Sequence, residues 1–197
     1  NKEKYIDFFD CFSRVTRKCA ILAFMKRYWN ALKDQSLLRQ LSFIQLITYF
    51  GAWFSNVAIY TLLIQMGASA STIAFLAALH FIAGVVQAPL SGVIIDRVHP
   101  KKLMLVLAFI EILCTLGLLL IQSNKDMGLL YLLVFIRMGA ASFQFTVEMA
   151  LLPRILEPKI LQIANEIHSI IWSLSYTFGM ALSGFVVYMV GIPSAFL

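Results

Sequence analysis

The feature that most constrains this chain is a stretch of 56 residues, between Arg39 and Asp96, that contains no Asp, Glu, Lys or Arg. A membrane-spanning helix needs about 20 apolar residues, so the stretch is long enough for two spans. The small and polar residues 67–71 predict the turn between them. A water-soluble fold of 197 residues, 60% of them hydrophobic and 13% charged, would expose large apolar patches. We therefore exclude soluble enzymes and disordered chains, and predict an all-α integral membrane protein.

Three further apolar stretches follow, each bounded by polar residues, glycine or proline. The predicted membrane spans are residues 41–64, 72–95, 103–122, 128–149 and 161–190. Pro153 is expected to stop the fourth span, because proline breaks the backbone hydrogen-bond ladder of a helix. Residues 194–197 resemble the beginning of a sixth span that is cut off. The chain thus divides into a segment 1–36 and a transmembrane unit 37–197.

The distribution of basic residues predicts the orientation, because cytoplasmic loops carry an excess of Lys and Arg. If the spans alternate, fourteen of the sixteen basic residues lie on one side, Lys125 alone lies on the other, and Arg137 falls inside a span. We expect a multi-pass protein of the plasma or inner membrane with a cytoplasmic N-terminus. The net charge of +6 then marks a surface that faces the lipid bilayer, since no nucleic-acid-binding motif accompanies it.

The segment 1–36 has the pattern of a basic amphipathic helix. Its apolar residues recur in steps of three and four: Tyr5, Phe8, Phe12, Val15, Cys19, Leu22, Met25, Trp29 and Leu32. Such a helix would lie in the inner headgroup layer as an anchor, with a regulatory or partner-binding role as the alternative. The three cysteines, Cys11, Cys19 and Cys114, show neither a disulfide framework nor metal-ligand spacing, so we expect packing roles, no metal and no cofactor.

The hairpin between the second and third spans reads GVIIDRVHPKK from residue 92 to residue 102. It resembles the signature of the major facilitator superfamily, G-x-x-x-D-R-x-G-R-R/K, and the matching residues are Gly92, Asp96, Arg97 and Lys101. The departures at residues 99 and 100 resemble the branch of macrolide and siderophore exporters, as do residues 150–155 and 161–165. Residues 175–184 resemble a degraded antiporter signature, in which Met180 stands in place of proline. The hairpin's other interpretation is a simple positive-inside loop that contains an aspartate.

The resemblance implies the N-terminal half of a twelve-helix transporter that works by alternating access, with its substrate site near the membrane midplane facing a C-terminal half. The cargo would be a small molecule, such as a drug or siderophore, exported by coupling to protons. The hairpin would be a conformational latch: Gly92 lets a neighbouring helix approach, Asp96 meets a helix N-terminus, and Arg97 and Lys101 pair with acids. Glu148 is expected to join this latch by meeting Arg97 or Lys101.

Charged groups inside the predicted spans are the main candidates for the substrate and ion pathway. Ten Leu, Ile, Val or Phe in span four contribute about −3 to −6 kcal/mol to insertion, against roughly +3 for Arg137, so this arginine needs a polar partner or a wet cavity. Depth favours a pair with Glu111, or a water shared with it. Alternatively, Arg137 lines the substrate cavity and attracts anionic or polar cargo, and Glu111 could carry coupled protons. The other candidates are Asn56, His80, Gln87, Glu166 and Trp172. Of these, His80 is either a hydrogen-bonded packing residue or a proton site.

Two function classes remain open at this point. One is secondary transport, with export of a drug or siderophore, or of a lysophospholipid, as its variants. The other is a five-span scaffold or sensor that does not transport. An intramembrane enzyme is not expected, because the sequence shows no nucleophile motif and no metal cluster.

Overall fold

The computed structural model describes residues 25–196, so the predicted helix before residue 25, with Cys11 and Cys19, lies outside the described residues. The described part is all-α and has no strand. Residues 25–34 form a helix, α1. The remaining α-helices are α2 (Ser36–Gln65), α3 (Ala70–Arg97), α4 (Pro100–Gly117), α5 (Met127–Ile155) and α6 (Pro158–Val190). Short 3-10 helices occupy Leu118–Leu120, Asn124–Asp126 and Ile192–Ala195.

Five helices are long and apolar enough to cross a membrane, which confirms the predicted fold class. Most helix ends differ from the predicted span ends by a few residues, and α2 begins five residues early, at Ser36. The fourth membrane helix does not stop at Pro153 but continues to Ile155, because a membrane helix can absorb one missing backbone hydrogen bond through local adjustment. The third membrane helix ends at Gly117 and tightens into a 3-10 turn, whereas the predicted span ran to residue 122.

The helices pack in pairs: α2 lies along α6, and both α3 and α4 lie along α5. Glycines mark two of the closest approaches. A Cβ atom added to Gly179 would lie 3.2 Å from the carbonyl oxygen of Phe50, and one added to Gly84 would lie 2.9 Å from the Ser142 hydroxyl. Small residues at helix contacts are typical of membrane bundles, where backbone proximity replaces the hydrophobic effect.

The expectation for Gly92 is not met in residues 25–196. A Cβ atom added there would meet nothing within 4 Å, so no described helix uses the close approach that this glycine allows. Next to the expected start of a sixth span lies the 3-10 helix Ile192–Ala195, and Ile192 and Phe196 are buried in a core cluster with residues of α2, α3 and α5.

The helix α1 packs its residues Tyr28 and Ala31 against a core cluster formed by residues of α2, α5 and α6. Met25 and Trp29, two members of the predicted apolar stripe, are instead 61% and 68% exposed. The side of α1 that faces the protein is formed by Tyr28 and Ala31, and Tyr28 also donates a hydrogen bond to Glu166 on α6.

Candidate substrate and ion site

A cavity of about 470 Å³ opens between α2, α4 and α5. Its walls are mostly apolar, and the two charged side chains that border it are Glu111 of α4 and Arg137 of α5. Hydroxyl groups of Thr48, Ser55 and Thr115 add polar surface. Charged groups within a bilayer are costly and therefore mark functional positions.

Arg137 is almost completely buried, with 3% of its surface exposed. Its guanidinium donates hydrogen bonds to Asn56 Oδ1 at 2.9 Å, to the carbonyl oxygen of Ala52 at 3.1 Å and to Ser55 Oγ. All three acceptors are neutral and lie on one face of α2, because residues three and four apart in a helix share a face. The arginine therefore has the polar partners that its insertion cost predicted, but none of them carries a negative charge.

The direct pair between Glu111 and Arg137 is not formed. The ion pairs in residues 25–196 are Arg154–Asp96 and Arg27–Glu166. The Arg137 guanidinium is hydrogen-bonded to polar groups of α2 instead, and Glu111 borders the same cavity from α4. Glu111 is 9% exposed, and its Oε1 has no hydrogen-bond partner in the described part. The two opposite charges thus share one cavity without touching.

The latch hypothesis expected Glu148 to meet Arg97 or Lys101, but Glu148 contacts neither residue. Its side chain points into the α2–α5 interface, where it is 1% exposed. Gln45 and Tyr49 of α2 donate to its Oε2, each at 3.0 Å, and Gln144 donates to its Oε1 at 3.3 Å. Glu148 therefore joins two helices inside the bundle and does not extend toward the hairpin.

The hairpin aspartate has a different partner from the expected helix N-terminus. Arg154 Nη2, at the end of α5, lies 3.0 Å from Asp96 Oδ1. Both side chains are more than half exposed, so the pair contributes at most about 1 kcal/mol to stability. Arg97 and Lys101 are exposed, and neither forms an ion pair within residues 25–196.

Two candidates of α3 lie in helix contacts and do not border the cavity. His80 stacks on Tyr60 with ring centroids 5.8 Å apart, and its Nδ1 lies 2.8 Å from the carbonyl oxygen of Leu76. Gln87 donates to Ser142 Oγ at 3.0 Å. These contacts favour the packing interpretation of His80, and they place Gln87 in the α3–α5 interface.

The two candidates of α6, Glu166 and Trp172, lie in different surroundings. Glu166 accepts hydrogen bonds from Tyr28 at 2.6 Å and from Gln162 at 3.0 Å, so it fastens α1 and does not border the cavity. Trp172 lies further along α6, next to Trp53 and Tyr176. The long-range partners could not be read from the sequence, since Gln45, Tyr49 and Ser55 resemble ordinary polar residues of a span.

No group of three or more His, Cys, Asp or Glu side chains in residues 25–196 could hold a metal ion. The described part offers three buried charged side chains, Glu111, Arg137 and Glu148, together with neutral hydrogen-bonding groups and aromatic rings.

The bundle defines a class, that of multi-pass α-helical membrane proteins. Its buried charges beside a cavity are features that membrane transporters have. The family model of the Major Facilitator Superfamily matches residues 41–197. The chain belongs to that superfamily, whose members are membrane transport proteins. Comparisons with curated proteins and with solved structures each found no significant match.

Proposed function

We propose that this protein exports a small amphipathic solute, such as a drug or siderophore, in exchange for protons by alternating access. The observation that carries the proposal is Glu111, a buried carboxyl group that borders a cavity and has an oxygen without a hydrogen-bond partner among residues 25–196. A carboxyl group that is held by few hydrogen bonds can exchange a proton without breaking the surrounding structure.

Arg137 supplies the electrostatic part of this proposal. Its charge is buried against neutral acceptors, so the ionised form of Glu111 across the cavity would be its counter-charge. Protonation of Glu111 removes that attraction and changes the energy of the cavity. In the exchange, a proton binds Glu111 from the outer side and leaves to the cytoplasm, while the solute moves outward.

Alternating access needs a facing wall, and we propose that a C-terminal transporter half supplies it. The Asp96–Arg154 pair lies at the exposed end of α3 and α5, with Arg97 and Lys101 beside it in the chain. In this proposal the four residues latch one conformation by meeting the opposite half. The exposed glycine face at Gly92 leaves room for such a contact.

The experiment is proton-coupled transport in inside-out vesicles, with candidate solutes added to vesicles that carry the protein. Addition of an exported solute should collapse an imposed pH gradient, and Glu111→Gln should abolish this proton movement. Glu157→Gln, at an exposed position before α6, is the matched control and should behave like the unchanged protein. Proton movement that persists in Glu111→Gln would refute the assigned proton site.

A further inference from the structure

We propose that Trp53, Trp172 and Tyr176 form a binding site for a planar aromatic ring system of the transported solute. The proposal rests on the export function above and adds a substrate class to it. None of the three rings borders the cavity that holds Glu111 and Arg137.

The three rings form a corner between α2 and α6. Trp172 and Tyr176 are stacked, with centroids 5.7 Å apart and planes 6° from parallel. The Trp53 ring stands perpendicular to both, at 5.8 Å from Trp172 and 4.7 Å from Tyr176. Trp172 and Tyr176 remain 45% and 42% exposed, so the cluster leaves aromatic surface uncovered.

The depth of the cluster indicates that this surface does not face lipid. Trp172 and Tyr176 bracket the middle of α6 (Pro158–Val190), about 20 Å or more from its first residue. Tryptophan and tyrosine normally collect at the two membrane surfaces, where their N–H and O–H groups reach water. At the midplane, a lipid-facing indole or phenol would lack a hydrogen-bond acceptor. Substrate sites of transporters, in contrast, lie at this depth.

The two exposed faces of α6 differ in character. One face continues the cluster with polar residues: Asn165 and Ser169 precede Trp172 in steps of four and three, and Ser173 precedes Tyr176 by three. The other exposed face carries mainly large apolar residues, with Thr177 as a polar residue beside them: Ile170, Leu174, Phe178, Leu182 and Phe185. Because a helix that borders both lipid and a polar cavity shows this division, we assign the first face to the solute pathway and the second to lipid.

The chemistry of the rings selects the solute. Indole and phenol faces attract other aromatic rings through stacking and edge-to-face contacts, and they attract organic cations. The acidic residue of α6, Glu166, is held by Tyr28 and Gln162 near the start of the helix and does not reach the cluster. The site therefore recognises a flat aromatic ring system. Recognition does not depend on an acidic side chain of α6 as a counter-charge to the solute.

The test is equilibrium binding of ethidium, a planar aromatic cation, to the purified protein in lipid nanodiscs, measured by the fluorescence of the dye. Trp172→Leu should weaken binding about tenfold, and Trp172→Phe, which keeps an aromatic face, should lose much less. Phe178→Leu removes a ring from the lipid-facing side of the same helix and should bind ethidium like the unchanged protein.

Failure of the site and failure of the export function give different results. Glu111→Gln should keep ethidium binding, because Glu111 borders a separate cavity. Ethidium binding that depends on Trp172 without any proton-coupled transport would leave the site standing and overturn the function. Proton-coupled transport with equal ethidium binding in Trp172→Leu, or with no ethidium binding by the unchanged protein, would overturn the site. A lower melting temperature in Trp172→Leu with an unchanged Kd would assign the rings to packing alone and also overturn it.

Discussion

Two buried charged side chains of α5 are accommodated in different ways. Arg137 donates to three neutral acceptors on α2, whereas Glu148 accepts from two residues of α2 and one of its own helix. Both therefore connect α5 to α2. The arginine also borders a cavity, and the glutamate does not, so we expect the first to affect transport and the second to affect stability.

Replacement of Arg137 with Leu should reduce solute transport at least about tenfold while the protein still folds. A central arginine costs about 2.5–3.5 kcal/mol in a membrane helix, and its three hydrogen bonds return about 0.6–1.7 kcal/mol each, so the two effects nearly cancel in the free energy of unfolding. Transport and melting temperature of the reconstituted protein are the measurements. Arg137→Lys, which keeps the charge, is the control, and undiminished transport by a folded Arg137→Leu protein would remove this residue from the pathway.

Replacement of Glu148 with Gln should destabilise the protein by about 1–3 kcal/mol. The new amide group would present a donor to the donors Gln45 and Tyr49, and a hydrogen bond to a charged group is worth about 1.5–3 kcal/mol. Glu111→Gln is the matched comparison, because one oxygen of the Glu111 carboxyl group has no hydrogen-bond partner in the described part of the chain, and it should change stability much less. Thermal unfolding in detergent measures both, and equal losses in the two variants would contradict this assignment.

At the scale of elements, the contact between α2 and α6 depends on small residues. Gly179 lies against the backbone of α2, and Ser175 and Ser183, four residues to either side of it, are 1% and 0% exposed. These spacings place all three on one face of α6. The helix α1 is held to the same pair of helices by Tyr28 and its bond to Glu166.

Replacement of Gly179 with Val should destabilise the bundle by about 1–3 kcal/mol, the usual cost of overpacking. An added Cβ atom would lie 3.2 Å from the carbonyl oxygen of Phe50, and backbone cannot move aside as a flexible side chain can. Gly184→Val, on the same helix, is the control, because no atom of the described residues lies within 4 Å of a Cβ atom added there. The measurement is the melting temperature of each variant. A similar decrease in both variants would exclude a specific α2–α6 contact at Gly179.

At the scale of the whole molecule, five membrane helices place successive connections on alternate sides. The connections after α2 and α4 share one side, and those after α3 and α5 share the other with the start of α2. The basic residues in the second group, including Lys101 and Arg154, are the reason that we expect this side to be cytoplasmic.

Cysteine labelling in intact cells tests this orientation. In a background without the three native cysteines, Lys125→Cys should react with a membrane-impermeant maleimide added outside. Lys101→Cys should react only after the membrane is permeabilised, because it lies on the opposite side. The reverse pattern would invert the orientation and with it the cytoplasmic position of the hairpin.

The sequence by itself determined the class of the protein and much of its architecture. The charge-free stretch and the apolar runs suffice for five membrane helices, because the bilayer imposes both their length and their apolar composition. The hairpin residues also identified the superfamily that the family model then matched. Helix ends were less accurate, since α5 passes through Pro153 and α4 ends at Gly117.

Only the tertiary structure decided which polar groups meet. Arg137 pairs with Asn56 and Ser55 and leaves Glu111 across a cavity, and Glu148 pairs with Gln45 and Tyr49. The physical reason is that membrane insertion energy depends on composition along one helix, whereas a hydrogen bond between helices depends on their rotation and mutual depth. These are set by close contacts such as that at Gly179, and no local pattern in the chain encodes them.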